Sequence, residues 1–238
     1  MTDGVLLRAR GITKKFPGVV ALDGVDFDLR AGEVHILLGE NGAGKSTLVK
    51  ILSGAYAPDA GEVFIDGQRV ESFDPRVAEQ MGVSIIYQEF NLVPYLNVAE
   101  NIFLGRFPKK HGLIDHRQMH ANAAALLRGL NMNVDTRSLI VELSTPQQQM
   151  VEVAKALSIQ SKILIMDEPT SSLSGRETEQ LFATIHKLNS QGIGIIYISH
   201  RLQELHEVGD RVTVLRDGQF IGCKDVDEVT VDELVGMM

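Results

Sequence analysis

Residues 39–46 read Gly39-Glu40-Asn41-Gly42-Ala43-Gly44-Lys45-Ser46, which meets the spacing G-x-x-x-x-G-K-[ST]. A short apolar run, Glu33-Val34-His35-Ile36-Leu37-Leu38, reads as a buried strand leading into it, and Lys45 to Leu52 carries helical spacing behind it. Strand, glycine loop and helix start in that order make an anion cradle. Glycines let backbone N–H groups turn inward with no Cβ in the way, and the helix N-terminus adds partial positive charge. Glu40, Asn41, Gly42 and Ala43 supply the backbone of the cradle. Lys45 can reach the β- and γ-phosphates of a nucleoside triphosphate, Ser46 can hold Mg²⁺, and Thr47 adds a hydroxyl near the α-phosphate. The expectation is a P-loop ATPase domain.

Around this loop, apolar runs alternate with helical patterns. Residues 5–10 and 25–29 read as strands flanking a loop, Pro58-Asp59-Ala60-Gly61 as a turn, and residues 63–68 as a hairpin bent at Asp66-Gly67. Val83 to Tyr87 is a strand. From about Val98 to Met132 the pattern is mostly helical, interrupted around residues 108–115, with no strong strand signal. An amphipathic helix from Pro146 to Leu157 precedes the strand Ile163 to Met166; a helix over about 175–190, a strand from 193 to 198, a hairpin at Asp217-Gly218 and a helix from Val231 follow. Such alternation predicts an α/β fold, mainly a parallel sheet covered on both faces, with ligands at the carboxyl ends of its strands.

The remaining candidate residues lie at such ends. Asp167 and Glu168 close the apolar strand Ile163 to Met166. A hard cation bridging phosphate oxygens needs an oxygen ligand there, which is the expected role of Asp167; Glu168 is the expected general base for an attacking water. Gln88 and His200 each follow an apolar strand. A glutamine can ligate Mg²⁺ and orient water, and a histidine can hydrogen-bond a γ-phosphate oxygen.

Composition bounds the alternatives. The 238 residues can bury a large core, and a formal net charge of −8 argues against a counterion-displacing grip on nucleic acid. The densest basic spots, Lys14-Lys15 and Lys109-Lys110-His111, are short and read as solvated surface. A lone cysteine, Cys223, offers no internal disulfide and fits a reducing compartment. No stretch approaches the roughly 18–20 apolar residues of a membrane span, and Met1-Thr2-Asp3-Gly4 carries no apolar signal core. A membrane role must then come through a partner.

Four further strings complete a pattern: Tyr87-Gln88-Glu89-Phe90-Asn91-Leu92, Leu143-Ser144-Thr145-Pro146-Gln147-Gln148-Gln149, Ile165-Met166-Asp167-Glu168-Pro169-Thr170-Ser171-Ser172-Leu173, and Ile198-Ser199-His200. With residues 39–46 they resemble the nucleotide-binding domain of an ABC transporter over essentially the whole chain. The resemblance implies an N-terminal antiparallel β subdomain and a helical subdomain over about 90–160. It implies that Phe16 stacks on adenine, that Gln88 links the metal to the membrane partner, and that His200 is the switch histidine. It further implies ATP and Mg²⁺ as ligands, a second nucleotide-binding domain, membrane permease subunits, and a peripheral place on the cytoplasmic face of the inner membrane. Residues 88–94 and 147–157 resemble importers of simple sugars such as ribose, galactose or xylose, which work with a periplasmic sugar-binding protein. In that subfamily two such domains usually run in tandem, so the chain is expected to be an N-terminal half.

Two departures bear on mechanism. The family's signature is usually Leu-Ser-Gly-Gly-Gln, whereas Thr145 and Pro146 replace both glycines, and Pro146 has no N–H to offer a partner's γ-phosphate. Ser144 with Thr145-Pro146 is therefore expected to be a weakened cap. Ser174 stands where many members have aspartate. A soluble ABC-type ATPase acting on ribosomes or DNA is the competing reading, and a small-molecule kinase a weaker one.

Overall fold

The computed structural model describes residues 4–238; the tripeptide Met1-Thr2-Asp3 of the signal-core reading lies outside them. In chain order the elements are β1 (Val5–Phe16), β2 (Val19–Arg30), β3 (Val34–Leu38), α1 (Lys45–Leu52), β4 (Ala60–Ile65), β5 (Gln68–Arg69), α2 (Pro75–Gln80) and β6 (Val83–Ile86). There follow α3 (Val98–Ile102), β7 (Lys109–Lys110), β8 (Leu113–Ile114), α4 (His116–Gly129), α5 (Thr145–Leu157), β9 (Ile163–Asp167) and α6 (Gly175–Ser190). The last are β10 (Gly194–Ile198), α7 (Leu205–Val208), β11 (Arg211–Arg216), β12 (Gln219–Asp225) and α8 (Val231–Met237).

Six strands form the central sheet in the order β12-β11-β3-β10-β9-β6, parallel except for the β11/β12 hairpin at its edge. The middle strands β10 and β9 are almost wholly apolar because both faces are covered. Leu37, Ile165, Ile196 and Ile198 point into one core, together with β1, β2 and α1; Ile36, Leu38, Leu164, Met166 and Tyr197 point into the other, with the helices from α3 to α7. A period of two thus divides each strand between two cores. A second sheet, β2-β1-β4-β5, is antiparallel throughout. The tight bends at Asp66-Gly67 and Asp217-Gly218 follow the sequence reading, all four residues having the positive φ that two-residue hairpins demand.

Three expectations need correction. The loop placed between strands 5–10 and 25–29 is instead paired sheet, turning only at Pro17-Gly18. Ala60 and Gly61 belong to β4 rather than to a turn; a Cβ on Gly61 would lie 2.5 Å from the Gly11 carbonyl oxygen, so the glycine serves close strand approach. The helical stretch 98–132 divides into a one-turn α3 and a four-turn α4, with the small β7/β8 hairpin filling the interruption. Helix α2 was not anticipated, although Asp74 before Pro75 signals it: the Asp74 carboxylate accepts the Arg76 N–H at 2.7 Å.

His35 on β3 is fully buried against Phe27. Its Nδ1–H donates to the Asp28 carbonyl at 2.7 Å and its Nε2 accepts the Thr213 hydroxyl at 2.8 Å, a neutral tautomer assigned from those partners. Burial, opposed by the Glu33 charge and aided by Arg211, lowers its pKa from 6.5 to about 4. The folded state therefore refuses a proton that the unfolded chain accepts. Stability from this group is whole above pH 6.5 and is lost as pH falls towards 4. We expect urea unfolding at pH 5 to show a loss of about 2 kcal/mol from this source relative to pH 7, and His35→Gln to remove that component. An unchanged pH slope in the variant contradicts the assignment.

Candidate functional site

Strand register sets the site. Across β3, β10 and β9, Leu37, Ile198 and Asp167 stand in one row, and Ile86 on β6 pairs with Met166 one step earlier. Four adjacent parallel strands thus end together, and the residues that follow them, Gly39, His200, Glu168 and Gln88, leave from one edge of the sheet. This is the convergence the sequence predicted.

The loop from Gly39 to Gly44 is built by exclusion. Gly39, Gly42 and Gly44 have φ of 152°, 89° and 103°. A Cβ on Gly39 would be driven into the Leu215 carbonyl oxygen on β11 and 2.9 Å from the Ala43 methyl; on Gly44 it would lie 2.7 Å from the Ala21 carbonyl of β2. Sheet residues therefore press the loop from behind, and side chains are barred there. Lys45 is buried, its ammonium donating to the carbonyl oxygens of Gly39 at 2.6 Å and Glu40 at 3.0 Å. Burial lowers its pKa, and the charges of Glu168 and Asp167 oppose that shift. Ser46 is exposed at the helix start, Thr47 half-buried; with Lys45 they are the first-turn residues whose N–H groups an α-helix leaves without an acceptor.

Glu168 adopts φ of 48°, a left-handed conformation uncommon for a residue with a side chain. Its N–H donates to the Ile198 carbonyl at 3.0 Å, so the end of the strand leading to His200 holds the strained turn. The two side chains meet: His200 Nδ1 lies 3.1 Å from Glu168 Oε1. Asp167, half-buried, has its pKa raised by burial first and by the Glu168 charge second, with Lys45 and Lys50 opposing.

Gln88 is exposed and shares a shallow depression with Asp167, lined also by Tyr87, Glu89, Phe90 and Asn91. The segment is tied to α5, since Asn91 donates its N–H to Glu152 at 2.7 Å and accepts from Lys155 Nζ at 2.7 Å. Phe16 ends β1 and is 38% exposed, packing edge-on against Tyr56 at 5.7 Å. That exposure excludes a core role, and its hairpin partner Val19 lies two residues before Ala21, which backs Gly44.

Ser144 is not brought to this edge. It caps α5, where its N–H and its hydroxyl both donate to Gln147 Oε1, at 2.9 and 3.1 Å, and Pro146 fills the first helical turn. Sequence reasoning passed over Glu204, a buried carboxylate behind the Glu168–His200 contact. An acid four residues after a candidate histidine, at the start of a short helix, was the available signal.

The residues fit a phosphate ligand with a hard cation. A buried ammonium with only carbonyl acceptors favours an anion, and no carboxylate lies within ion-pair distance of Lys45 among the described residues. Ser46, Asp167 and Gln88 offer oxygen donors, and no cluster of three His, Cys, Asp or Glu side chains forms a metal cage among the described residues. That donor set suits Mg²⁺ completed by phosphate oxygens.

Known proteins resemble this chain in sequence and in fold. Residues 22–171 match the ABC transporter family, a span holding the glycine loop, Gln88, Ser144 and both acids. The chain is 57% identical over 233 residues to a ribose import ATP-binding protein of Rubrobacter xylanophilus, covering 98% of this chain and 46% of that protein. It is 53% identical over 237 residues to a putative ribose/galactose/methyl galactoside import ATP-binding protein of Burkholderia ambifaria, covering 100% and 46%. The chain thus spans about half the length of these curated relatives. Among solved structures, the ADP conformation of an ATP-binding cassette of an ABC transporter aligns with a TM-score of 0.87 at 26% identity, covering 98% of both chains. A dimeric bacterial ABC transporter cassette aligns with a TM-score of 0.79 at 25% identity, covering 92% of this chain and 98% of that one. With a family match that takes in the phosphate loop and the acid pair together, this chain belongs to the ABC transporter family.

Proposed function

We propose that this chain is the ATP-binding and hydrolysing domain that drives import of a simple sugar through an ABC transporter. The observation that carries the reading is the meeting of Lys45, Asp167, Glu168 and His200 at one sheet edge beside the glycine loop. The names of the relatives support sugar import. Lys45 and the first-turn N–H groups of α1 hold the β- and γ-phosphates, Phe16 stacks on the base, and Ser46, Asp167 and Gln88 hold Mg²⁺. When bound, the cation would neutralise phosphate charge. Glu168 takes the proton of the attacking water, and His200, held against it, donates to the γ-phosphate.

The domain works with a second nucleotide-binding domain, from the same polypeptide or a dimer mate, whose signature segment completes the site. Helices α3 to α5, within about 90–160, form its helical subdomain. Permease subunits dock it on the cytoplasmic face of the inner membrane, and a periplasmic sugar-binding protein delivers the substrate; nucleic acid is not a partner. No helix among the described residues is long and apolar enough to cross a membrane. We expect the isolated chain to hydrolyse ATP slowly, with turnover per molecule rising with protein concentration. Fast turnover independent of concentration contradicts the composite site, and co-purification with ribosomes rather than membrane proteins favours the non-transport reading.

A further inference from the structure

Behind the contact between Glu168 and His200 lies a carboxylate that the hydrolytic reading leaves unused. Glu204 is 6% exposed and belongs to the 3-10 turn Leu202–Glu204 after β10. Its Oε1 accepts the Thr170 hydroxyl at 2.7 Å, and its Oε2 accepts the Tyr197 and Ser199 hydroxyls, each at 2.8 Å. Arg201 Nη1 lies 3.6 Å from Oε1, and the Ser199 oxygen accepts the Arg201 N–H at 3.0 Å. Thr170, Tyr197 and Ser199 are all buried. Burial and the Glu204 charge hold the Tyr197 phenol protonated, a permanent donor.

The placement of these donors matters more than their number. Thr170 stands two residues after Glu168; Ser199 and Arg201 flank His200. One carboxylate thus ties the loop carrying the acid to the loop carrying the histidine. A buried, paired charge contributes little net stability compared with an apolar group of the same size, so stability alone gives this network weak justification. Fixing two loops relative to each other requires directional bonds. The left-handed turn at Glu168 needs such bracing, because a strained conformation persists only when its surroundings over-determine it.

We propose that Glu204 is a positioning residue that sets the separation of Glu168 and His200, so that both address the same γ-phosphate and water. The inference rests on the reading of that pair as the hydrolytic groups. A misplacement of about 1 Å in such a pair costs on the order of 100-fold in rate, whereas nucleotide held by the glycine loop is untouched.

The test uses the intact protein assembled with its partner domain, with turnover counted per bound nucleotide. Glu204→Gln keeps the volume but halves the acceptor oxygens. We expect kcat to fall about 10- to 100-fold with KM for ATP within about twofold. Thr170→Val and Ser199→Ala each cut one tie and should lower kcat severalfold in the same pattern, which decides the matter if Glu204→Gln does not fold. Unchanged kcat in these variants, or kcat and ATP affinity falling in parallel, overturns the inference. Glu168→Gln is the control. If the wild-type protein has no turnover that depends on Glu168, the functional reading fails and this inference with it; Glu168-dependent turnover indifferent to Glu204 sinks the inference alone.

Discussion

Glu168→Gln is expected to stop turnover and leave ATP bound, with kcat falling by about 10²- to 10⁴-fold, the range for removal of a general base. The amide keeps the size of the carboxylate and one acceptor oxygen, so the strained turn at φ 48° and its N–H bond to Ile198 remain. It cannot take a proton from water. Because the proposed nucleotide grip, Lys45 and the start of α1, lies at a different strand end, affinity for ATP should change by less than about tenfold. Nucleotide retention on a filter, beside steady-state phosphate release, measures both quantities. A variant with full activity removes Glu168 from the role.

Lys45→Met should do the reverse, sparing the protein and losing the ligand. The ammonium is buried on two main-chain carbonyls and its pKa is lowered by burial, so the folded state is penalised for carrying this charge at neutral pH. Methionine fills similar space without that penalty, and the nucleotide-free variant should unfold at the same temperature as the wild type or higher. Hydrogen bonds to charged groups contribute about 1.5–3 kcal/mol each, so losing the phosphate contacts should weaken ATP binding by about 100-fold or more. At an ATP concentration 100 times the wild-type Kd, stabilisation by ligand should drop from about 2.7 to about 0.4 kcal/mol. Thermal unfolding with and without ATP reads both effects. A variant that keeps its ATP-induced shift removes Lys45 from phosphate binding.

What the sequence disclosed, and what it withheld, follow from the range of the interactions involved. The glycine loop is legible locally, since strand, turn and helix lie within twenty residues, although the atoms that bar a Cβ at Gly39 and Gly44 belong to the distant Leu215 and Ala21. The acids at the end of β9 and the histidine after β10 were legible because a buried parallel strand is an unbroken apolar run and its end is abrupt. Strand pairing was less legible. Residues 11–24 alternate poorly, and only the register of β1 against β2 and β4 reveals them as sheet, with bulges near Ile12 and Lys14. Glu204 itself could be noticed, but its partners could not, since the network joins Thr170 to Glu204 across 34 positions. Ser144 was readable as a motif but not as a local cap, because its bonds to Gln147 depend on where the helix begins.

Gly39 has a consequence for inheritance. A Cβ there would enter the Leu215 carbonyl and the Ala43 methyl, and every missense change at that codon adds one. The position has no conservative replacement, so drift cannot pass through it by small steps. Any replacement there must move either the loop or the strand behind it, so the cradle and the sheet edge cannot both keep their places.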